Sequence, residues 1–309
     1  MKRKVTIAAS AIFLCCAISS VFFLRRLDQV RSGATLEEFL YISSPKLLKR
    51  MSLGYEGLLA AVYWTRAVQY YGGIHHQGGG RYELLWPLLN ITTQLDPHII
   101  PAYEYGATFL SADPPNGAGT PPKAIQLMEY GISQNPNDWH LYYDLGYVYN
   151  DMKDYHKAAD AFERGSQVPN AHPFLKVLAA QMAQHGGELE TAHMLWSTVL
   201  ETTRDKYVRE TALWHLRAVR VGLDVAELEK LVAIYRQKTG GFPHNFQDIV
   251  RAGFIREIPF DPVGNEYQMD AQGHVFIADP EHFPFVDKGL PPGYVPSSFP
   301  KIPHTEEPS

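Results

Sequence analysis

Three alanines, Ala124, Ala158 and Ala192, stand 34 residues apart in this 309-residue chain, and their neighbours keep the same step. Four positions on from each come Met128, Phe162 and Trp196; seven positions on come Gly131, Gly165 and Val199. Upstream, Gly146 and Ala180 are also 34 apart. A fixed period of this length marks stacked supersecondary units, and it constrains the fold more than any other feature of the chain. The middle copy, residues 144–165, reads DLGYVYNDMKDYHKAADAFERG. Leu145, Gly146 and Tyr149 share one face of a first helix; Ala158 and Phe162, four apart, share one face of a second. Gly146 and Ala158 are small enough for two backbones to approach, and Tyr149, Tyr155 and Phe162 fill the space around them. A single hairpin cannot bury such a face, so copies must stack on one another.

The spacing Leu145-Gly146, Tyr149, Ala158, Phe162 resembles the tetratricopeptide repeat, with Pro169 one residue early for the terminal proline. The preceding copy runs through Gly106 and Ala124 to Pro136. Gly106 and Ala124 are 18 apart where Gly146 and Ala158 are 12 apart, and the excess falls in SADPPNGAGTPP, a loop by composition. A weaker copy opens with LLAAVYWTRAVQYYG and ends at Pro97. Residues 172–204 supply another, carrying Ala192 and Trp196, and 206–238 read as a helical pair without the signature. The resemblance covers residues 55–238 and implies a mainly α fold, an α-solenoid of helix hairpins. In that family the first helices line a concave groove for peptides or partner proteins. The groove positions here are then Tyr103, Ala107 and Leu110, next Tyr143, Tyr147 and Asn150, and last Val177, Gln181 and Gln184. Tyrosine, with a large apolar body and one polar tip, suits peptide contact. The lysines and arginines of the family's carboxylate-clamping version are absent at these positions, so a C-terminal carboxylate is not the expected ligand. The block YISSPKLLKRMSLGYEGLLAAVYWTRAVQYYG is similar to exported or membrane-anchored bacterial proteins that join an anchor to such repeats.

Residues 5–24, VTIAASAIFLCCAISSVFFL, carry no charge over twenty positions. As a helix they would span a hydrocarbon core of about 30 Å. A cleaved signal peptide has a shorter apolar region, about 7–15 residues, ending at a small-x-small site. Here Ala17-Ile18-Ser19 leaves an internal cleavage site open, but the length favours an uncleaved anchor over residues 1–31, followed by a linker and lead-in helix over 32–54. Lys2, Arg3 and Lys4 with the free amine outweigh Arg25 and Arg26 slightly, which points the N-terminus inward. The expected location is the inner (cytoplasmic) membrane, crossed once, with the body periplasmic or otherwise extracytoplasmic. Six basic residues and one acidic residue fall in 1–31, leaving 22 basic against 32 acidic in the rest. An acidic body of this kind argues against nucleic acid as a partner. The two cysteines, Cys15 and Cys16, both lie in the apolar run, so no disulfide framework is expected.

The C-terminal part changes character. Gly240 is placed to close a helix. A short helix follows with Phe246, Ile249 and Val250 on one face and Gly253 at its end. Tyr267–Met269 and His274–Ile277 read as two strands around the DAQG turn. This module, 239–279, resembles the C-terminal part of type II secretion major pseudopilins through Gly241-Phe242-Pro243, Ile258-Pro259 and Asp261-Pro262-Val263-Gly264. Val263 stands where that family has tryptophan, and the family's N-terminal processing signature is missing. A filament subunit is therefore not expected, and the family's calcium-binding loop is not carried over. Residues 280–309 hold eight prolines and are expected to be an extended tail.

Chemistry is sparse. His75 and His76 in GGIHHQGGG read as part of a solvated loop, with no third or fourth metal ligand nearby. His185 and His193 are separated by a break at Gly186-Gly187. No His-Glu-x-x-His, Gly-x-Ser-x-Gly or phosphate-loop motif occurs. No catalytic residue, cofactor or metal is expected. The rival reading is a metal-dependent or hydrolytic envelope enzyme built on the loop histidines. The favoured one is a membrane-anchored scaffold that binds peptides or partner proteins, linked to secretion or pilus assembly through the C-terminal likeness.

Overall fold

A computed structural model describes residues 44–78 and 80–295, together with Ser19. The expected anchor over 5–24 lies, Ser19 apart, outside the described residues. The described chain is mainly helical with one two-stranded sheet. None of its helices is long and apolar enough to cross a membrane. It divides into two compact units, Met1–Asp96 and Pro97–Ser309, the division falling inside the 55–238 stretch.

The first unit contains α1 (Pro45–Met51), α2 (Glu56–His76) and α3 (Leu85–Leu95). Ser44 caps α1 by accepting from the Leu47 amide, and Pro45 takes the first helical position, where a missing N–H costs nothing. Ala60, Tyr63, Ala67 and Tyr70 recur at the i, i+3, i+7, i+10 spacing of one helix face and are the buried residues of α2. The Tyr70 hydroxyl accepts from the Leu84 amide and donates to the Arg81 carbonyl, so it pins the connection into α3. The histidine pair departs from expectation. His75 and His76 form the last turn of α2 instead of a loop, because the helix runs through Gly72-Gly73. The Tyr71 ring stacks on His75 at 5.6 Å, the i,i+4 contact that only a helix provides.

The second unit opens with α4 (Ile100–Ser111), α5 (Pro121–Gln134), α6 (Trp139–Asp151), α7 (Tyr155–Ser166), α8 (Phe174–His185) and α9 (Leu189–Thr202). Each packs on the next, and α4 also packs on α6. Ala124, Ala158 and Ala192 are wholly buried, and so in effect are Met128, Phe162 and Trp196. The close approach at Gly146 is real: a Cβ there would lie 2.5 Å from the Phe162 ring. Gly187, with φ +75, ends α8 as the Gly186-Gly187 break required.

Two expectations about these helices need correction. The first is register. The buried residues of α4 are Ala102, Tyr103, Gly106, Ala107 and Leu110; those of α6 are Leu141, Tyr142, Leu145, Gly146 and Val148. Four of the five positions superimpose with a step of 39, so Ala107, not Gly106, holds the small position. The hydrogen bonds agree. Tyr103 donates its hydroxyl to the Pro97 carbonyl, as Tyr142 does to Pro136. The insertion before Ala124 is therefore one residue shorter than the glycine alignment implied. The second correction is that 206–238 are not a pair. They form one helix, α10 (Lys206–Thr239), 34 residues long, capped by Asp205 and closed by Gly240 at φ +84. Nothing in this stretch breaks a helix, and Gly222 sits against Leu189 where a larger residue would collide.

The C-terminal module packs on the second half of α10. Val221, Val225, Leu228 and Val232 form one core with Phe246 and Ile249 of α11 (Phe246–Arg251) and with Tyr267, Val275 and Ile277. Strands β1 (Gln268–Met269) and β2 (Val275–Phe276) pair antiparallel, with Gly273 at φ +84 in the turn between them. In the DPVG turn, Asp261 Oδ1 accepts from the amides of Val263 and Asn265, both at 2.9 Å, and Gly264 takes φ +97. The other Asp261 oxygen is the one buried side-chain N or O atom without a partner among the described residues. The expected extended tail is corrected over 280–295. After a 3-10 turn at Pro280–His282, Phe283 and Val286 are buried in the same core, and Ile277 donates its amide to the Gly289 carbonyl. Three apolar side chains in four positions, Phe283, Phe285 and Val286, outweigh the prolines between and around them.

Candidate functional site

The helix α6 carries Trp139, Tyr143 and Tyr147 at i, i+4 and i+8, which places three aromatic rings in a row on one face. Trp139 meets Tyr143 edge-on at 6.2 Å, and Tyr143 meets Tyr147 at 4.8 Å. Both tyrosines rest on Phe162 of α7, so the row has a fixed floor. Tyr147 remains 37 % exposed. Burial, with a hydrogen bond to the Tyr143 side chain second, pushes its hydroxyl up to about 12.

Beside this row lies Asp144, half-buried and without a hydrogen bond or ion pair to any described residue. Burial pushes its carboxyl up to about 7, the Glu104 carboxylate of α4 adds to this, and His140 opposes it. The repeat itself shows how unusual the residue is. The same position is Leu178 in α8, where it is buried in the core. A carboxylate at an apolar position is the kind of local rule-breaking found at functional sites. With Asp138 and Glu104 also nearby, the surface between α4 and α6 is acidic and aromatic together.

The nine expected groove positions separate into two groups. Tyr143, Tyr147, Asn150, Val177 and Gln181 keep exposed or half-exposed surface. Tyr103 and Gln184 do not and are corrected. Tyr103 is wholly buried and packs on Gly131; it stands where Tyr142 stands in α6, so Glu104 and Thr108 take the outward positions instead. A shift of one residue turns a helical side chain by about 100°, enough to exchange groove for core. Ala107 and Leu110 are buried for the same reason.

Gln184 is 5 % exposed and forms the centre of a polar knot. Its Oε1 accepts from Trp196 Nε1 at 3.1 Å and lies 2.8 Å from His215 Nδ1, and its Nε2 donates to the Phe285 carbonyl at 2.7 Å. The His215 ring is sandwiched, with Trp196 at 4.1 Å on one side and Phe285 at 4.0 Å on the other. Burial holds the imidazole down at about 3, so it is neutral and can donate from Nδ1 to the amide oxygen. Phe285 thus covers α8 at Gln184, the position that corresponds to Asn150 on α6.

The sequence reading missed Trp139, Glu104 and Asp144. The i, i+4, i+8 aromatic spacing was visible from Trp139 onward. The anomaly at Asp144 required the comparison with Leu178, and Glu104 required the corrected register. Among the described residues, no group of three or more histidine, cysteine, aspartate or glutamate side chains is arranged to hold a metal. No protein-family model matches the chain, and no curated protein is significantly similar to it.

Proposed function

We propose that the chain is a tetratricopeptide-type α-solenoid scaffold that binds an extended segment of a partner protein on the α4–α6 face, at the cell envelope. The observation that carries this is the open aromatic row of α6 beside an unpaired, half-buried Asp144. Rings held on a rigid floor give contact area at little entropic cost, and a carboxylate without a cation invites one. The favoured segment therefore carries a lysine or arginine, whose stem lies on Tyr143 or Tyr147 and whose charge reaches Asp144 and Glu104. Membrane attachment through 5–24, with the body outside the cytoplasm, belongs to the same proposal. So does a place in secretion or pilus assembly, which rests on the likeness of 239–279 to pseudopilin C-termini and on nothing in the α4–α6 surface.

A positional-scanning peptide library presented to the purified full chain tests the binding surface. Enrichment of basic residues at one position, abolished by Asp144→Asn and weakened by Tyr147→Ala, is the expected result. A library that shows no selection, or selection indifferent to both substitutions, overturns the assignment.

A further inference from the structure

Within the first unit, the outward face of α2 is uncharged for three turns. Leu58, Ala61, Val62, Thr65 and Gln69 are all exposed and follow the i, i+3, i+4, i+7, i+11 spacing of a single stripe. The two formally charged residues of the helix, Glu56 and Arg66, stand aside from it. Just before it, Leu47 and Met51 of α1 are exposed, and the turn between the helices presents Leu53 and Tyr55. Leu53 is 86 % exposed and held at φ +50, a backbone region leucine rarely enters, while Gly54 follows at φ +93. An apolar side chain displayed to water on an unfavourable backbone is a feature that a stable fold has no need of on its own account. The charge beside it is mainly positive: Lys46, Lys49 and Arg50 lie on α1, which has no acidic residue, and Glu56 is the one carboxylate of the two helices.

We infer that this surface docks on an anionic lipid bilayer. Exposed leucine, methionine and tyrosine flanked by basic side chains is the composition of an interfacial helix, its apolar stripe seated at the acyl boundary and its cations among headgroup phosphates. The same positive charge disfavours a second copy of the surface as the occupant, since it would face itself. Position in the chain agrees. The uncharged run ends at Leu24, and the 19 residues of 25–43 can extend by at most about 65 Å, so α1 cannot stray far from a membrane that holds the run. The inference rests on the proposed attachment through 5–24 for this tether alone, and it does not involve the α4–α6 face.

The test uses the full chain with Cys15→Ser and Cys16→Ser, a single Leu58→Cys or Val62→Cys bearing an environment-sensitive fluorophore, and Tyr207→Cys as a control. The chain is reconstituted with vesicles of phosphatidylcholine and phosphatidylglycerol, with and without brominated lipid. Blue-shifted emission quenched by brominated lipid at positions 58 and 62 but not at 207 is expected. It should be lost in phosphatidylcholine alone, and lost when Lys46, Lys49 and Arg50 are replaced by glutamine. A chain that does not float with vesicles overturns both the attachment and the docking. A chain that floats, with water-like emission at 58 and 62, overturns the docking only. Blue-shifted emission that brominated lipid leaves unquenched means that protein covers the face, and that also overturns it.

Discussion

The helices α6 and α8 follow the same repeat pattern, yet one face is open and the other is sealed. Leu141, Leu145, Gly146 and Val148 of α6 are answered 34 residues on by Leu175, Ala179, Ala180 and Met182, all buried. What differs is the next layer. On α8, Gln184 gathers Trp196, His215 and the Phe285 carbonyl, and a returning strap covers the helix. On α6, Tyr147 and the unpaired Asp144 face outward. The repeat dictates the core of each hairpin and leaves the groove-side positions free to differ. Those positions are where a helical repeat array can keep either an open surface or a capped end.

The largest expected effect breaks the sealed face. Trp196→Ala removes a fully buried ring together with the hydrogen bond and stack on its edge and face, and should lower stability by about 3–5 kcal/mol, read as a shift of the urea midpoint. Gln184→Ala leaves two buried donors and one acceptor unanswered and should cost about 2–3 kcal/mol. Limited proteolysis should then cut within 283–290 in Gln184→Ala before it cuts anywhere in α6, and cleavage in the opposite order would show that the strap does not depend on this knot.

The two faces should also respond to pH in opposite directions. His215 has a folded-state value of about 3 against an ordinary 6.5, so its contribution is present above pH 6.5 and is lost as pH falls towards 3. Asp144 has a folded-state value of about 7 against 3.8, so its contribution is fully present below pH 4 and is lost as pH rises through 7. Asp144→Asn should therefore raise stability at pH 8 by about 1–2 kcal/mol, a figure reduced for partial exposure, and should flatten the profile between pH 5 and 8. A variant whose stability still falls over that interval would place the titrating group elsewhere. The smallest stability effect belongs to Tyr147→Ala, about 1 kcal/mol or less for a half-exposed ring on Phe162. Its effect on binding should exceed its effect on folding, whereas the reverse holds for every substitution on the sealed face.

The chain also shows where one-dimensional reading succeeds. The buried alanines of α5, α7 and α9, the cap at Gly240, the hairpin around Gly273 and the break at Gly187 all follow from spacing and from glycine's access to positive φ. They are local features, each decided within a few residues. The register of α4 was not legible, because an insertion separates its helix from Ala124 and two small residues, Gly106 and Ala107, compete for one role. Burial on both sides of the helix decided between them.

By itself, the sequence determined a mainly helical chain with a 34-residue period, helix ends at particular glycines and a short two-stranded element near its end. Periodicity and capping are properties of neighbouring residues, so they survive without knowledge of the fold. Only the tertiary structure decided which face of each helix stays open. That choice depends on side chains far apart in sequence, Gln184 with Phe285 and Asp144 with Glu104, and burial is settled by the chain that returns to cover a surface rather than by the surface alone.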